Sequence, residues 1–127
     1  MSTPPQLFSD QTALVTGGAS GLGADLCRTL AASGMHVIAA DIQLDRLERL
    51  VGEVRGGGGS IEAVALDVRD ARAAESTIDG VRARHGRLDV LINNAGTDRT
   101  VSVEELTVDD IDRVLAVNLR GPFLLSK

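Results

Sequence analysis

Tryptophan and tyrosine are absent from the 127 residues, and the aromatic fraction, two phenylalanines, is only 2%. Any core must therefore be aliphatic, and a mechanism that needs a phenol cannot be completed by these residues alone. Lysine occurs once, at Lys127. The single cysteine, Cys27, excludes an internal disulfide and suits a reducing compartment. Thirteen basic residues face eighteen acidic ones, and the resulting charge of −5 disfavours nucleic acid or an anionic membrane as a partner. No apolar run approaches the roughly 20 residues of a membrane span. The opening MSTPPQLFSDQ has neither a basic nor an apolar leader segment. Together these absences lead to the expectation of a soluble, cytoplasmic protein. With 43% apolar and 24% charged residues, its composition is that of one globular domain.

What is present is an alternation of strand and helix signals. TALVT (12–16) is apolar and β-branched, and Leu22, Leu26 and Leu30 then repeat every four residues until Gly34 stops the helix. MHVIAAD (35–41) predicts a second strand, followed by a helix on Leu44, Leu47, Val51 and Val54 that the run 56–59 of glycines closes. A third strand is expected over 60–68. Asp70 then caps a helix with the stripe Ala74, Ile78 and Val81, ending near His85 and Gly86. DVLIN (89–93) is the fourth strand, and a last helix runs from about Thr107 to Lys127. Apolar strands joined by amphipathic helices imply right-handed crossovers and a parallel sheet covered on both faces. The fold class is thus α/β, a Rossmann-like doubly wound sheet. The glycine run 56–59 leads from helix back to strand and reads as a plain turn.

Four groups of residues follow directly after strands: Gly17 to Gly23, Asp41, Asp67, and Asn93 to Gly96. In an open parallel sheet all four gather at the carboxyl edge, where such folds bind ligands. The first loop, TGGASGLG, brings backbone N–H groups and a helix N-terminus to one spot, which favours a pyrophosphate. Gly23 is followed by Ala24 and Asp25 rather than Gly-Lys-Ser/Thr, so a phosphate-loop NTPase does not fit. Asp41 ends the second strand at nearly the distance past the glycines at which an acid accepts bonds from an adenosine ribose. A 2′-phosphate would meet that charge, and neither Ile42 nor Gln43 offers a cation, which favours NAD over NADP.

The glycine loop after strand one, the acid after strand two, Asp67-Val68 after strand three and NNAG (93–96) after strand four resemble the short-chain dehydrogenase/reductase family in order and spacing, from Thr12 to Lys127. The resemblance implies that Gly17, Ser20, Gly21, Leu22 and Gly23 line the pyrophosphate and that Asp41 holds the adenosine ribose. It further implies that Asp67 and Val68 contact adenine and that Asn94, Ala95 and Gly96 lie along the cofactor. It implies a sheet in the order 3-2-1-4 that stops before the family's later strands, so that residues 1–127 are the N-terminal part of a single dinucleotide-binding domain. The activity it implies is hydride transfer between NAD and a small-molecule carbonyl or secondary alcohol, in a homo-oligomer (dimer or tetramer). A non-catalytic dinucleotide-binding chain is the alternative.

Asn118 sits at helical spacing with Ile111, Leu115, Pro122 and Leu125, which predicts a buried amide in need of partners. Pro122 lacks the N–H that would bond the carbonyl of residue 118, which predicts a kink there. In the family, the asparagine of a similar VNLxGPF stretch (117–123) belongs to the catalytic tetrad, so the resemblance implies a catalytic Asn118. The family's serine, and the tyrosine and lysine of its Tyr-x-x-x-Lys motif, are expected beyond the last helix; these residues hold no tyrosine and a single lysine, Lys127. His36, His85 and Cys27 read as structural residues, with no metal-ligand spacing.

Overall fold

The computed structural model of the chain describes residues 8–19, 21–97 and 101–127. Its elements alternate as the sequence predicts: β1 (Thr12–Thr16), α1 (Gly21–Ala32), β2 (His36–Asp41), α2 (Leu44–Gly56), β3 (Ser60–Ala65), α3 (Ala71–His85) and β4 (Val90–Ile92). A short 3-10 turn over Val103–Glu105 precedes α4 (Val108–Leu115), a π-turn (Ala116–Arg120) and α5 (Gly121–Ser126). The strands form one parallel sheet in the order β3-β2-β1-β4.

The two central strands, β1 and β2, bury both faces because helices cover both sides. Ala13, Val15, Val37 and Ala39 pack with α1 and α2 through Ala24, Cys27, Ala31, Leu47 and Leu50. Leu14, Ile38 and Ala40 pack instead with Ala74 and Val81 of α3 and Leu125 of α5. All five residues of β1 are buried, which is why that strand reads as an unbroken apolar run rather than an alternating one. The core is aliphatic throughout. Among the described residues no helix is long and apolar enough to cross a membrane.

Several local expectations need correction. The third strand ends at Ala65, not 68, although the Leu66 N–H still donates to the Asp41 carbonyl at 3.0 Å. The face that α1 turns to the sheet is Gly23, Ala24, Cys27 and Ala31, while Leu22 is 67% exposed. Close approach of α1 to β1 leaves room only for small side chains, so Leu26 and Leu30 pack at the flanks. The stripe of the last helix is likewise incomplete: Leu125 is buried, but Ile111 and Leu115 are exposed. Just before Pro122 the helix widens into a π-turn, with the Gly121 N–H donating to the Ala116 carbonyl five residues back. Gly34 has φ +94°, in keeping with its role as the stop after α1.

Cys27 is fully buried, and burial pushes its thiol from an ordinary 9.0 up to about 11. That rise alone leaves roughly a hundredfold less thiolate at neutral pH. A chromogenic disulfide should therefore label the folded chain at least about a hundredfold more slowly than the chain in denaturant. Equal rates would show that α1 does not seal the thiol against β1.

Candidate functional site

The parallel sheet brings all four post-strand loops to one edge, and hydrogen bonds join them. Thr16 closes β1 with a buried hydroxyl whose oxygen accepts from the backbone N–H groups of Asn94 at 3.1 Å and Ala95 at 3.0 Å. The Asn94 side-chain amide donates to the Gly17 carbonyl at 3.2 Å, so the loop after β4 is tied to the loop after β1. Gly17 has φ +66°, and a Cβ there would lie 3.0 Å from the Ala95 backbone. Gly23, in the first turn of α1, is packed tighter still: a Cβ would stand 1.9 Å from the Gly17 carbonyl oxygen. These glycines let three backbone segments meet without side chains between them.

Asp41 ends β2 with both carboxylate oxygens engaged. Oδ2 accepts from the Ala19 N–H at 3.1 Å and Oδ1 from the Gln43 N–H at 2.9 Å. The Gly18 N–H donates to the Ala40 carbonyl beside it at 3.1 Å. Asp67 follows β3 and is gripped by Arg69, whose Nη2 donates to Oδ2 at 2.7 Å and whose Nε donates to Oδ1 at 3.0 Å. That side-chain hydrogen bonding holds the Asp67 carboxyl below the usual carboxylate range, against the opposing effect of burial. Val68 is buried against Gly121 of α5.

Between these loops opens a cleft of about 530 Å³. Gly17, Asp41, Asp67, Val68, Asn94, Ala95 and Gly96 all line it. Gly21 and Leu22 begin α1 on the exposed side, Gly23 lies beneath Gly17, and Ser20 falls outside the described residues. The cleft is also lined by Arg69, Thr97 and Arg113, which sequence reasoning missed. For Arg69 a signal existed, a cation two residues past an acid after a strand; for Arg113, sixteen residues beyond Thr97, there was none. A larger and shallower depression of about 910 Å³ runs along the outer side of α4 and α5 and shares Asp67, Arg69 and Arg113 with the cleft. It gathers none of the glycine or asparagine loops.

Asn118 is exposed, contrary to the buried amide that its spacing predicted. It lies in the π-turn and clamps the loop after β4: its Oδ1 accepts from the Thr97 N–H at 2.8 Å and its Nδ2 donates to the Thr97 carbonyl at 2.7 Å. Its partners are thus found in a neighbouring backbone rather than in the core.

A family model described as short chain dehydrogenase matches residues 11–127. The D-threitol dehydrogenase of Mycolicibacterium smegmatis is 40% identical over 117 residues, covering 92% of this chain and 45% of that protein. The structure of a citronellol catabolism dehydrogenase of Pseudomonas aeruginosa superposes with a TM-score of 0.90 at 35% identity, over 97% of this chain and 50% of that one. A metagenomic short-chain oxidoreductase in complex with NADP matches equally well, with a TM-score of 0.90 and 35% identity, over 93% of this chain and 54% of that one. The chain therefore spans about half the length of the relatives it matches. With a Rossmann-like sheet, a glycine-lined cleft at its carboxyl edge and a family match from residue 11 to residue 127, the chain belongs to the short chain dehydrogenase family.

Proposed function

We propose that this chain holds NAD in the cleft at the carboxyl edge of its sheet, as part of an oxidoreductase acting on a small carbonyl or secondary alcohol. The observation that carries the reading is the position of Asp41 on the cleft wall, fixed by two backbone N–H groups. The donor set suits a dinucleotide: glycine backbone at Gly17 for a pyrophosphate, a carboxylate for ribose hydroxyls, and an asparagine-lined wall for the rest. When bound, the nicotinamide supplies the hydride chemistry. Asp41 accepts hydrogen bonds from the adenosine ribose with the lone pairs left over from Ala19 and Gln43. Asp67 and Val68 bound the adenine, and Asn94, Ala95 and Gly96 orient the cofactor's far half. Gly21, Leu22 and Ser20 complete the pyrophosphate end. Asn118 would serve the catalytic role that the family likeness gives it while its side chain holds the loop at Thr97. The phenol and the lysine partner of such an acid/base relay are not supplied by these residues, which hold no tyrosine and, as their single lysine, Lys127.

The preference for NAD follows from charge. A 2′-phosphate would meet Asp41, and the nearby Arg69 is already engaged with Asp67. Like charges juxtaposed at an interface cost on the order of several kcal/mol. Calorimetric titration should show NAD binding more than tenfold tighter than NADP, and Asp41→Asn, which keeps an acceptor oxygen, should narrow the gap mainly by improving NADP. Equal affinities in the unmutated protein would overturn the assignment of Asp41.

A further inference from the structure

At the opposite edge of the sheet, the two histidines of the chain come together with one carboxylate. His36 opens β2, Glu62 lies in β3, and His85 ends α3. The register pairs His36 with Ser60 and Ile38 with Glu62, so His36 and Glu62 are diagonal neighbours. Both lie at strand positions that alternate onto the α3 face, with Ile38 and Val64. His85 Nε2 lies 2.6 Å from Glu62 Oε1, and His36 Nε2 lies 3.4 Å from the same oxygen. The imidazole rings face each other with centroids 4.4 Å apart. One ligand atom from each residue falls within 4.8 Å of the others.

We propose that His36, Glu62 and His85 form a site for a late first-row divalent cation, with Zn²⁺ the best match. Two imidazoles and one carboxylate are a zinc-type donor set, too nitrogen-rich for Mg²⁺ or Ca²⁺. Bonds of about 2.0–2.1 Å would set tetrahedral ligands roughly 3.4 Å apart, and the two imidazole nitrogens already stand 2.6 and 3.4 Å from Glu62 Oε1. All three side chains are 24–26% exposed, which leaves a path for the ion and room for water as fourth ligand. His36 Nδ1 contacts the Ser60 hydroxyl, an outer partner that orients the ring and leaves Nε2 to the metal. The competing cation is Arg84, whose Nη2 stands 3.3 Å from Glu62 Oε1 on a half-exposed side chain that can swing to solvent.

The site lies about 17 Å from Asp41 along β2, too far to take part in chemistry at the cleft. Its role is to clip the end of α3 to the sheet, adding stability in proportion to metal occupancy.

The test uses the chain without a histidine tag, stripped with a chelator and titrated at neutral pH with Zn²⁺ by calorimetry and Co²⁺ by visible absorption. The expected result is one ion per chain, a dissociation constant in the micromolar range or below, and the intense visible bands of tetrahedral Co²⁺. His36→Asn and His85→Asn should each weaken Zn²⁺ at least tenfold with unchanged circular dichroism, whereas Arg84→Gln should leave it as tight or tighter. Because the chain has only two histidines, its two imidazole Hε1 resonances report the site without any mutation. Both should shift or broaden with the first equivalent of metal. Millimolar or weaker binding, perturbation of one ring alone, or affinity unchanged in both histidine variants would overturn the proposal and leave the cluster a hydrogen-bonded one only.

Discussion

Gly23→Ala should abolish the proposed dinucleotide binding and lower the melting temperature by about 10 °C or more. The new Cβ would stand 1.9 Å from the Gly17 carbonyl oxygen, 2.7 Å from its carbon and 2.6 Å from the Asn94 side-chain nitrogen. Two of those three atoms are backbone, so no rotamer change relieves the clash. Gly17 cannot retreat easily either, since the Ala95 backbone stands behind it. Overpacking of a core costs about 1–3 kcal/mol where side chains can yield, and more where they cannot. α1 must therefore lift from β1, which moves the loop at Gly17 out of the geometry that brings it to a pyrophosphate. A control isolates the cause: Gly52→Ala in α2 meets nothing within 4 Å, so it should leave the melt unchanged or raise it slightly, because alanine is the better helix former. Thermal melts and calorimetric titration with NAD check both variants. A Gly23→Ala protein that melts with its parent would mean that α1 is not seated on Gly17.

Thr16→Val should destabilise the chain by about 1–3 kcal/mol although valine has nearly the same shape and a better strand propensity. The Thr16 hydroxyl is 1% exposed and its oxygen accepts from both the Asn94 and the Ala95 backbone N–H. Valine offers no acceptor. The Asn94 N–H keeps a second acceptor in the Ile92 carbonyl at 3.1 Å, whereas the Ala95 N–H relies on the Thr16 oxygen among the described residues. Leaving a buried donor unsatisfied costs about 1–3 kcal/mol. The loop after β4 should also loosen, so amide exchange at Asn94 and Ala95 should quicken more than exchange within β2. Denaturant unfolding measures the first effect and hydrogen exchange the second. Thr16→Ser, which keeps the oxygen, should recover most of the loss, and failure of that rescue would place the defect in packing instead.

The parts of this molecule legible in its sequence are those set by local periodicity and by topology. TALVT and HVIAAD are buried on both faces, so they read as continuous apolar runs, and the alternation with helices forces the post-strand loops to one edge. Asp41, Asp67 and the asparagine loop could be placed together from that alone. Illegible were features decided by how close two elements approach. The leucines of α1 mark a helix, but which side meets the sheet depends on Gly23 touching Gly17, so Ala24 and Cys27 are buried where Leu22 is not. Asn118 has helical spacing with apolar neighbours, yet the π-turn and the backbone at Thr97 take it to the surface. His36, Glu62 and His85 are more than twenty residues apart pairwise, and only the β2–β3 register and the length of α3 bring them together.

The bonds around Gly17 to Ala19 have a consequence for how fast a ligand can be taken up. This segment is held from one side by the ends of β2, through Ala40 and Asp41, and from the other by Asn94. Its shape is thereby set when the chain folds, before any ligand arrives. A molecule entering the cleft has little loop ordering to drive, so less of its interaction energy is spent on conformational entropy. Association should then be governed by diffusion and orientation rather than by a slow rearrangement, and differences among ligands should emerge in how quickly they leave.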